Sequence, residues 1–305
     1  MIKTIRIGTR DSELALWQAH TVEQKLNDLG YKTEIIAVKS TGDIILDKPL
    51  YEFGITGIFT KTLDVAMISG QIDIAVHSMK DVPTALPKGI VQAAVLERAN
   101  VNDILVHKGS LGFLLTAGTV ATGSLRRQAQ WLHRYPHHNV VDLRGNVNTR
   151  LQKLEGNIWD GAIFAAAGLE RINLTPQNHI NLDWMIPAPA QGAMVIVAMQ
   201  NDDYCREAAG KLNHFESQIT TQVERDFLKT LEGGCTAPIG ALATITDDII
   251  RFEGILNSID GKERIHIEKT AEVTQYKTFG SECAHEILQN GGDSVMARIK
   301  SELAK

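Results

Sequence analysis

The sequence predicts an α/β protein of two periplasmic-binding-protein-like lobes, with mixed, mainly parallel sheets around a hinged cleft, followed by a C-terminal α+β domain. Three observations carry that expectation. Strand-like and helix-like segments alternate from the amino terminus, a strand–turn–helix pattern recurs further along the chain, and the last third turns to short clustered strands followed by helices. At 305 residues the chain has room for two or three domains, since a domain usually takes about 100–200 residues. An apolar content of 44% and a charged content of 22% are ordinary for a globular protein. The formal net charge of −5 argues against general nucleic-acid binding, so any anion site has to come from local clusters.

The first segment, Met1-Ile-Lys-Thr-Ile-Arg-Ile7, alternates like a strand over Thr4 to Ile7 and is too short and charged for a signal peptide. No apolar run approaches the roughly 18 residues of a membrane span, so a cytoplasmic protein is expected. A helix follows from about Ser12 to Leu29, closed by Gly30, and then a strand from Thr33 to Val38. Leu14, Trp17, Val22, Leu26 and Leu29 recur at helical spacing, which puts Trp17 in the core rather than against a ligand.

Ile72 to Val76 is a short apolar run that reads as a central strand, and Pro83 stops any long helix from following it. His77, Ser78, Lys80 and Asp81 then stand at a strand's carboxyl end, where open α/β sheets place ligands. The plainer reading is a solvated turn in which Asp81 caps a helix or pairs with Lys80.

Thr9 and Ser12 follow the first strand and open a helix containing Trp17; Thr122 and Ser124 follow a strand near Val120 and open a helix containing Trp131. Leu63 to Ala75 and Leu151 to Ala162 match more weakly. Two similar lobes are the simplest account, with chain crossings near Glu97 to Asn102 and at Pro187-Ala-Pro-Ala-Gln-Gly192. The expected division is 1–97 with 193–213 as the first lobe, 98–192 as the second and 214–305 as the last domain. That domain reads as helices over 204–212 and 216–231, strands over 239–243, 249–256 and 264–270, and helices over 276–290 and 294–303.

Arg126, Arg127, Arg134, Arg144 and Arg150 crowd one stretch of an acidic chain, and Arg171 lies just beyond. Arg126 and Arg127 fall at a helix start, where cations oppose the helix dipole. A bound anion would account for them, because backbone N–H groups, hydroxyls and guanidinium forks all favour carboxylate or phosphate. The alternative is that these side chains face water or bridge surface acids. Of the three cysteines, Cys205 and Cys283 lie in helical patterns. Cys235 sits in Leu-Glu-Gly-Gly-Cys-Thr-Ala-Pro-Ile-Gly240, with small neighbours that leave room for an adduct. No CxxC pair suggests zinc or a disulfide framework.

Together these stretches resemble the hydroxymethylbilane synthase (porphobilinogen deaminase) family. The matching segments are Gly8 to Gln18, Ser40-Thr-Gly-Asp43, Asp73 to Pro83, Gly123-Ser-Leu-Arg-Arg-Gln128, Leu143 to Leu151, Ala166-Ala-Gly-Leu169, Gln191-Gly-Ala193 and Leu231-Glu-Gly-Gly-Cys235, in the family's order. The resemblance implies that four porphobilinogen molecules are joined head to tail with loss of ammonia, and that water releases linear hydroxymethylbilane. It implies a dipyrromethane cofactor held by a thioether to Cys235, with Asp81 as the catalytic acid. Arg10, Arg126, Arg127, Arg144, Arg150 and Arg171 would bind the acetate and propionate arms, with Ser12, Lys80, Ser124 and Gln191 as lesser contacts. One carboxylate such as Asp81 suits protonation of the leaving amine, support of a cationic azafulvene-like intermediate and the final deprotonation. The resemblance implies neither metal nor nucleotide; the charge and the lack of a long apolar run lead to no expected nucleic-acid or membrane partner, and a monomer is expected because nothing in the sequence suggests an extended interface.

The chain departs from the family's pattern in the segment from Ile44 to Thr60, read as a mobile lid. Thr56 stands where lysine is frequent, Glu52 where a basic residue occurs, and Thr62 replaces the usual glutamate after Lys61. A competing reading is a non-catalytic two-lobed anion or solute receptor, against which stand the missing signal peptide and the glycine-framed cysteine.

Overall fold

The computed structural model describes residues 3–38, 60–231 and 237–303. In chain order the elements begin with β1 (Thr4–Arg10), α1 (Glu13–Asp28), β2 (Lys32–Val38), α2 (Lys61–Ile68), β3 (Ile74–Ser78) and β4 (Ile90–Val95). Next come β5 (Asp103–His107), β6 (Thr119–Ala121), α3 (Leu125–Arg134), β7 (Asn139–Val141), α4 (Val147–Gly156), β8 (Gly161–Ala165), α5 (Ala166–Glu170) and β9 (His179–Asn181). The chain continues through β10 (Met194–Met199), α6 (Asp203–Gly210), α7 (Phe215–Thr230), β11 (Ile239–Thr246), β12 (Ile249–Asn257), β13 (Arg264–Glu272), α8 (Tyr276–Ile287) and α9 (Asp293–Leu303). It divides into two compact units, whose sequence boundaries fall at Ala99/Asn100, Gln191/Gly192 and Gln218/Ile219.

In the first unit a five-stranded sheet runs in the order β2-β1-β3-β10-β4. Strand β1 is parallel to β2 and β3, while β10 returns antiparallel between β3 and β4. Ile5, Ile7, Ile74, Val76 and Ile196 on one face pack with Ala19, Val22 and Leu26 of α1 and with Ala208 and Ala209 of α6. Strand β3 is central, as its apolar run predicts, and the chain then makes one 3₁₀ turn, Met79–Asp81, before Pro83. Trp17 departs from expectation: it is 37% exposed, because the buried stripe of α1 runs through Ala15, Gln18, Ala19, Val22 and Leu26 instead. Small residues at 15 and 19 let the helix lie close to the sheet and turn Trp17 away from it.

The second unit repeats this pattern. Its sheet order is β7-β6-β8-β5-β9, with β6 parallel to β7 and β8, and β5 antiparallel between β8 and β9. Each strand of one sheet has a counterpart in the other, so the internal repeat in the sequence corresponds to one topology built twice. Four of the five strands in each sheet run the same way, so the sheets are mixed but mainly parallel as expected, with β10 in the first and β5 in the second entering in reverse. Trp131 of α3 is fully buried, packed with Leu105, Val120 and Ile163, unlike its counterpart Trp17.

The same unit carries the antiparallel sheet β11-β12-β13. One face is covered by α7, α8 and α9 through Val223, Phe227, Phe279, Cys283, Val295 and Ile299, and Phe227, Phe252 and Phe279 meet edge to face. The break between α8 and α9 falls at Asn290 and Gly291, the latter with φ of 99°, a conformation glycine adopts without penalty. Buried Glu224 of α7 accepts the backbone N–H of Ala190 at 2.6 Å and of Ala243 at 2.7 Å, tying the 187–192 connection to β11.

Asp73, at the entry to β3, anchors the first sheet. It accepts from Arg6 Nε, Nη2 and backbone N at 2.9 Å, and Lys3 Nζ lies 3.3 Å away. Burial raises its carboxyl pKa, but the Arg6 hydrogen bonds and the Lys3 charge outweigh that and hold it below the usual carboxylate range. A carboxyl with a depressed folded-state pKa contributes stability that is present above its unfolded pKa and is lost as pH falls through the folded value. Asp73→Asn is therefore expected to cost about 2 kcal/mol at pH 7, with the difference from wild type shrinking as pH falls below the carboxylate range. Urea unfolding at several pH values checks this; a difference independent of pH would contradict it.

Candidate active site

Each unit gathers polar side chains at the carboxyl ends of its parallel strands. In the first unit Arg10 ends β1 and Ser12 precedes α1, making no side-chain cap. His77 and Ser78 end β3, and Lys80 and Asp81 lie in the 3₁₀ turn that follows. Gln18 of α1 donates to Ser78 Oγ at 2.8 Å, tying the first helix to this strand end. Lys80 and Asp81 are both half-buried. His77 is buried, and its Nε2 has no hydrogen-bond partner among the described residues. Burial, with the nearby Arg10 charge adding to it, pushes the imidazole down to about 4, so it is neutral at pH 7.

In the second unit the turns after β6 and β7 lie side by side. Thr122 N–H donates to Val141 O at 2.9 Å, and a Cβ on Gly123 would stand 2.7 Å from Leu143 O, so only glycine fits there. Ser124 caps α3 by accepting from Arg127 N at 3.5 Å, and Asn146 caps α4 by accepting from Thr149 N at 2.9 Å. Gly145, with φ of 114°, makes the reversal between Arg144 and the start of α4, whose first turn carries Arg150. Arg171 follows α5 at the end of β8, where burial lowers its pKa to about 10 against the opposing charge of Glu170.

Arg126, Arg127 and Arg144 are only 4%, 6% and 5% exposed. The first two share a buried carboxylate that the sequence reading did not single out: Asp103 accepts from Arg126 Nη1 at 2.7 Å and from Arg127 Nε at 3.0 Å. Gln191 Nε2 also donates to Asp103, at 3.0 Å, and to Val101 O at 2.8 Å. The one signal for Asp103 was an acid placed at the head of a strand otherwise apolar up to His107. Arg126 Nε and Arg144 Nε and Nη1 are buried without an acceptor among the described residues. Burial lowers the Arg144 pKa, with Asp142 opposing. Orphaned guanidinium N–H groups on a strand-end edge are suited to a carboxylate or phosphate.

Cys235, Glu52, Thr56 and the Ile44–Thr60 segment apart from Thr60 lie outside the described residues. Thr62 stands in the first turn of α2. The other two cysteines are fully buried: burial raises both thiols to about 12, Cys205 further through Asp202. No described helix is long and apolar enough to cross a membrane.

Residues 5–207 match the family model described as porphobilinogen deaminase, dipyromethane cofactor binding domain, and residues 218–289 match the porphobilinogen deaminase C-terminal domain. The chain is 40% identical over 303 residues to the porphobilinogen deaminase of Campylobacter hominis, covering 97% of this chain and 98% of that one. It is 41% identical over 304 residues to the chloroplastic porphobilinogen deaminase of Oryza sativa, covering 95% and 85%. Among solved structures, a periplasmic substrate-binding protein of an ABC transporter from Coxiella burnetii is similar over 68% of this chain and 91% of its own, with 15% identity and a TM-score of 0.44. Two family models in order across most of the sequence, and relatives of near-equal length, establish that the chain belongs to the porphobilinogen deaminase family.

Proposed function

We propose that the chain is a hydroxymethylbilane synthase: it condenses four porphobilinogen molecules head to tail, with loss of ammonia, and releases the linear tetrapyrrole by hydrolysis. The observation that carries this reading is the set of buried guanidinium nitrogens without acceptors, on Arg126 and Arg144, in a chain matched by both family domains. Porphobilinogen bears an acetate and a propionate, so each added unit brings two negative charges that need cationic partners. Arg10, Arg126, Arg127, Arg144, Arg150 and Arg171 bind these carboxylates, and Ser12, Lys80, Ser124 and Gln191 add hydrogen bonds. Such charge-assisted contacts are roughly twice as strong as neutral ones and fix orientation as well.

The same orphaned donors fit a dipyrromethane cofactor, whose arms are also carboxylates. When bound, that group supplies the pyrrole end from which chain growth starts. On the family resemblance Cys235 is its point of attachment; Cys205 and Cys283 are fully buried with thiols raised to about 12, which suits them poorly to that role, since the thiolate is the nucleophile. Asp81 donates a proton to the departing amine and takes up the proton lost on coupling. In this reading 1–97 with 193–213 and 98–192 form the two lobes, and 214–305 carries the cysteine. The protein acts as a cytoplasmic monomer.

Intact-mass measurement of protein from a porphobilinogen-making host is expected to show an excess of two linked pyrrole units on the peptide containing Cys235. Cys235→Ser is expected to remove that excess and to lower thermal stability, since a ligand bound only by the folded state stabilises it. A bare polypeptide mass for the wild type would favour the solute-receptor reading. Asp81→Ala is expected to leave a folded holoprotein whose turnover falls by about a hundredfold or more; retention of more than about a tenth of the wild-type rate would remove Asp81 from proton transfer.

A further inference from the structure

Asp103 is fully buried, and its carboxylate accepts hydrogen bonds from three residues read above as anion ligands, Arg126, Arg127 and Gln191. Its Oδ2 takes Arg126 Nη1, and its Oδ1 takes Arg127 Nε and Gln191 Nε2, with Arg127 Nη2 at 2.8 Å. Backbone carbonyls complete the clamp. Ile186 O accepts from Arg126 Nη1 at 2.8 Å and from Gln130 Nε2 at 2.9 Å, while Ile163 O accepts from Arg127 Nη1 at 3.0 Å.

This arrangement leaves two things undone. One carboxylate faces two guanidinium groups, so a positive charge is left over in a place nearly closed to water. Arg126 is held by one nitrogen, and the opposite edge of its fork carries Nε, which is buried and has no acceptor among the described residues. A planar guanidinium pinned by one edge presents the other in a fixed direction, which suits a second carboxylate. Without Asp103 the two like charges would repel and the forks would lose their common reference.

We propose that Asp103 is a positioning residue for porphobilinogen condensation: it aims the free edge of Arg126 at a pyrrole carboxylate and sets the local surplus at one positive charge. The inference rests on the reading that Arg126 binds such a carboxylate. It touches neither substrate nor cofactor and acts through the arginines.

Asp103→Asn keeps the shape and removes the charge, and its amide offers one acceptor where the carboxylate offers two. Porphobilinogen binding by calorimetry, KM and kcat of the holoprotein, and thermal stability are measured for wild type, Asp103→Asn, Arg126→Met and the double variant. Binding and KM are expected to weaken by about tenfold in Asp103→Asn, with kcat changing less. The double variant is expected to be no weaker than Arg126→Met alone, since the two residues act as one unit. A loss of thermal stability with unchanged binding would overturn the proposal, as would single effects that multiply in the double variant. If Asp103→Asn does not fold, Asp103→Glu takes its place and is expected to keep the fold while weakening binding; binding at the wild-type level would overturn the proposal. A wild type that binds porphobilinogen but forms no tetrapyrrole would sink the enzyme reading and leave the Asp103 assignment standing, whereas a wild type that does not bind it sinks both.

Discussion

Two guanidinium groups and one carboxylate, closed off from water, set the terms for the second unit. Asp103 satisfies one edge of Arg126 and one of Arg127, and burying that group is costly for each ion. Such a cluster is poor value as a stabilising device, because apolar residues of similar volume often do as well or better. Its persistence at the carboxyl edge of the sheet makes sense if the remaining positive charge is completed by something anionic. Arg144, on the adjoining turn with two nitrogens that have no acceptor among the described residues, extends the same deficit.

The twofold topology explains why the polar residues fall where they do. In both sheets three adjacent parallel strands deliver their ends to one edge, where the candidate site residues fall: Arg10 at the end of β1 and Ser12 beyond it, Lys80 and Asp81 after β3, Arg126 and Arg127 after β6, Arg144 after β7 and Arg171 after β8. The antiparallel strands β10 and β5 run the other way and contribute packing, apart from Asp103, whose strand starts at the end where the others finish. That reversal lets Asp103 at the head of β5 reach the helix that begins at the tail of β6, two strands away.

The central strand of the first sheet was legible at Ile72 to Val76 because four apolar residues in a run of five, bounded by polar residues, leave few other fates. The helix α1 was legible in extent but not in facing: alanines at 15 and 19 bury as well as large residues, so counting bulky side chains turned the helix wrongly and misplaced Trp17. Arg126 and Arg127 stood out as cations at a helix start, yet their carboxylate partner lies more than twenty residues earlier on another strand, and local patterns carry no sign of such a pairing. Glu224 was equally hidden, since its position in α7 resembles any helical glutamate until the sheet and the 187–192 connection close over it. Cys235 was distinguished by its glycine frame alone.

The central claim is that this unsatisfied positive charge is met by the acid arms of a pyrrole chain rooted on a cysteine. A crystal structure of the holoprotein tests it most directly: density continuous with Cys235 Sγ, and pyrrole carboxylates within hydrogen-bond distance of Arg126 Nε and of Arg144. Ordered water or protein carbonyls at those nitrogens, with every pyrrole carboxylate bound elsewhere, would contradict it.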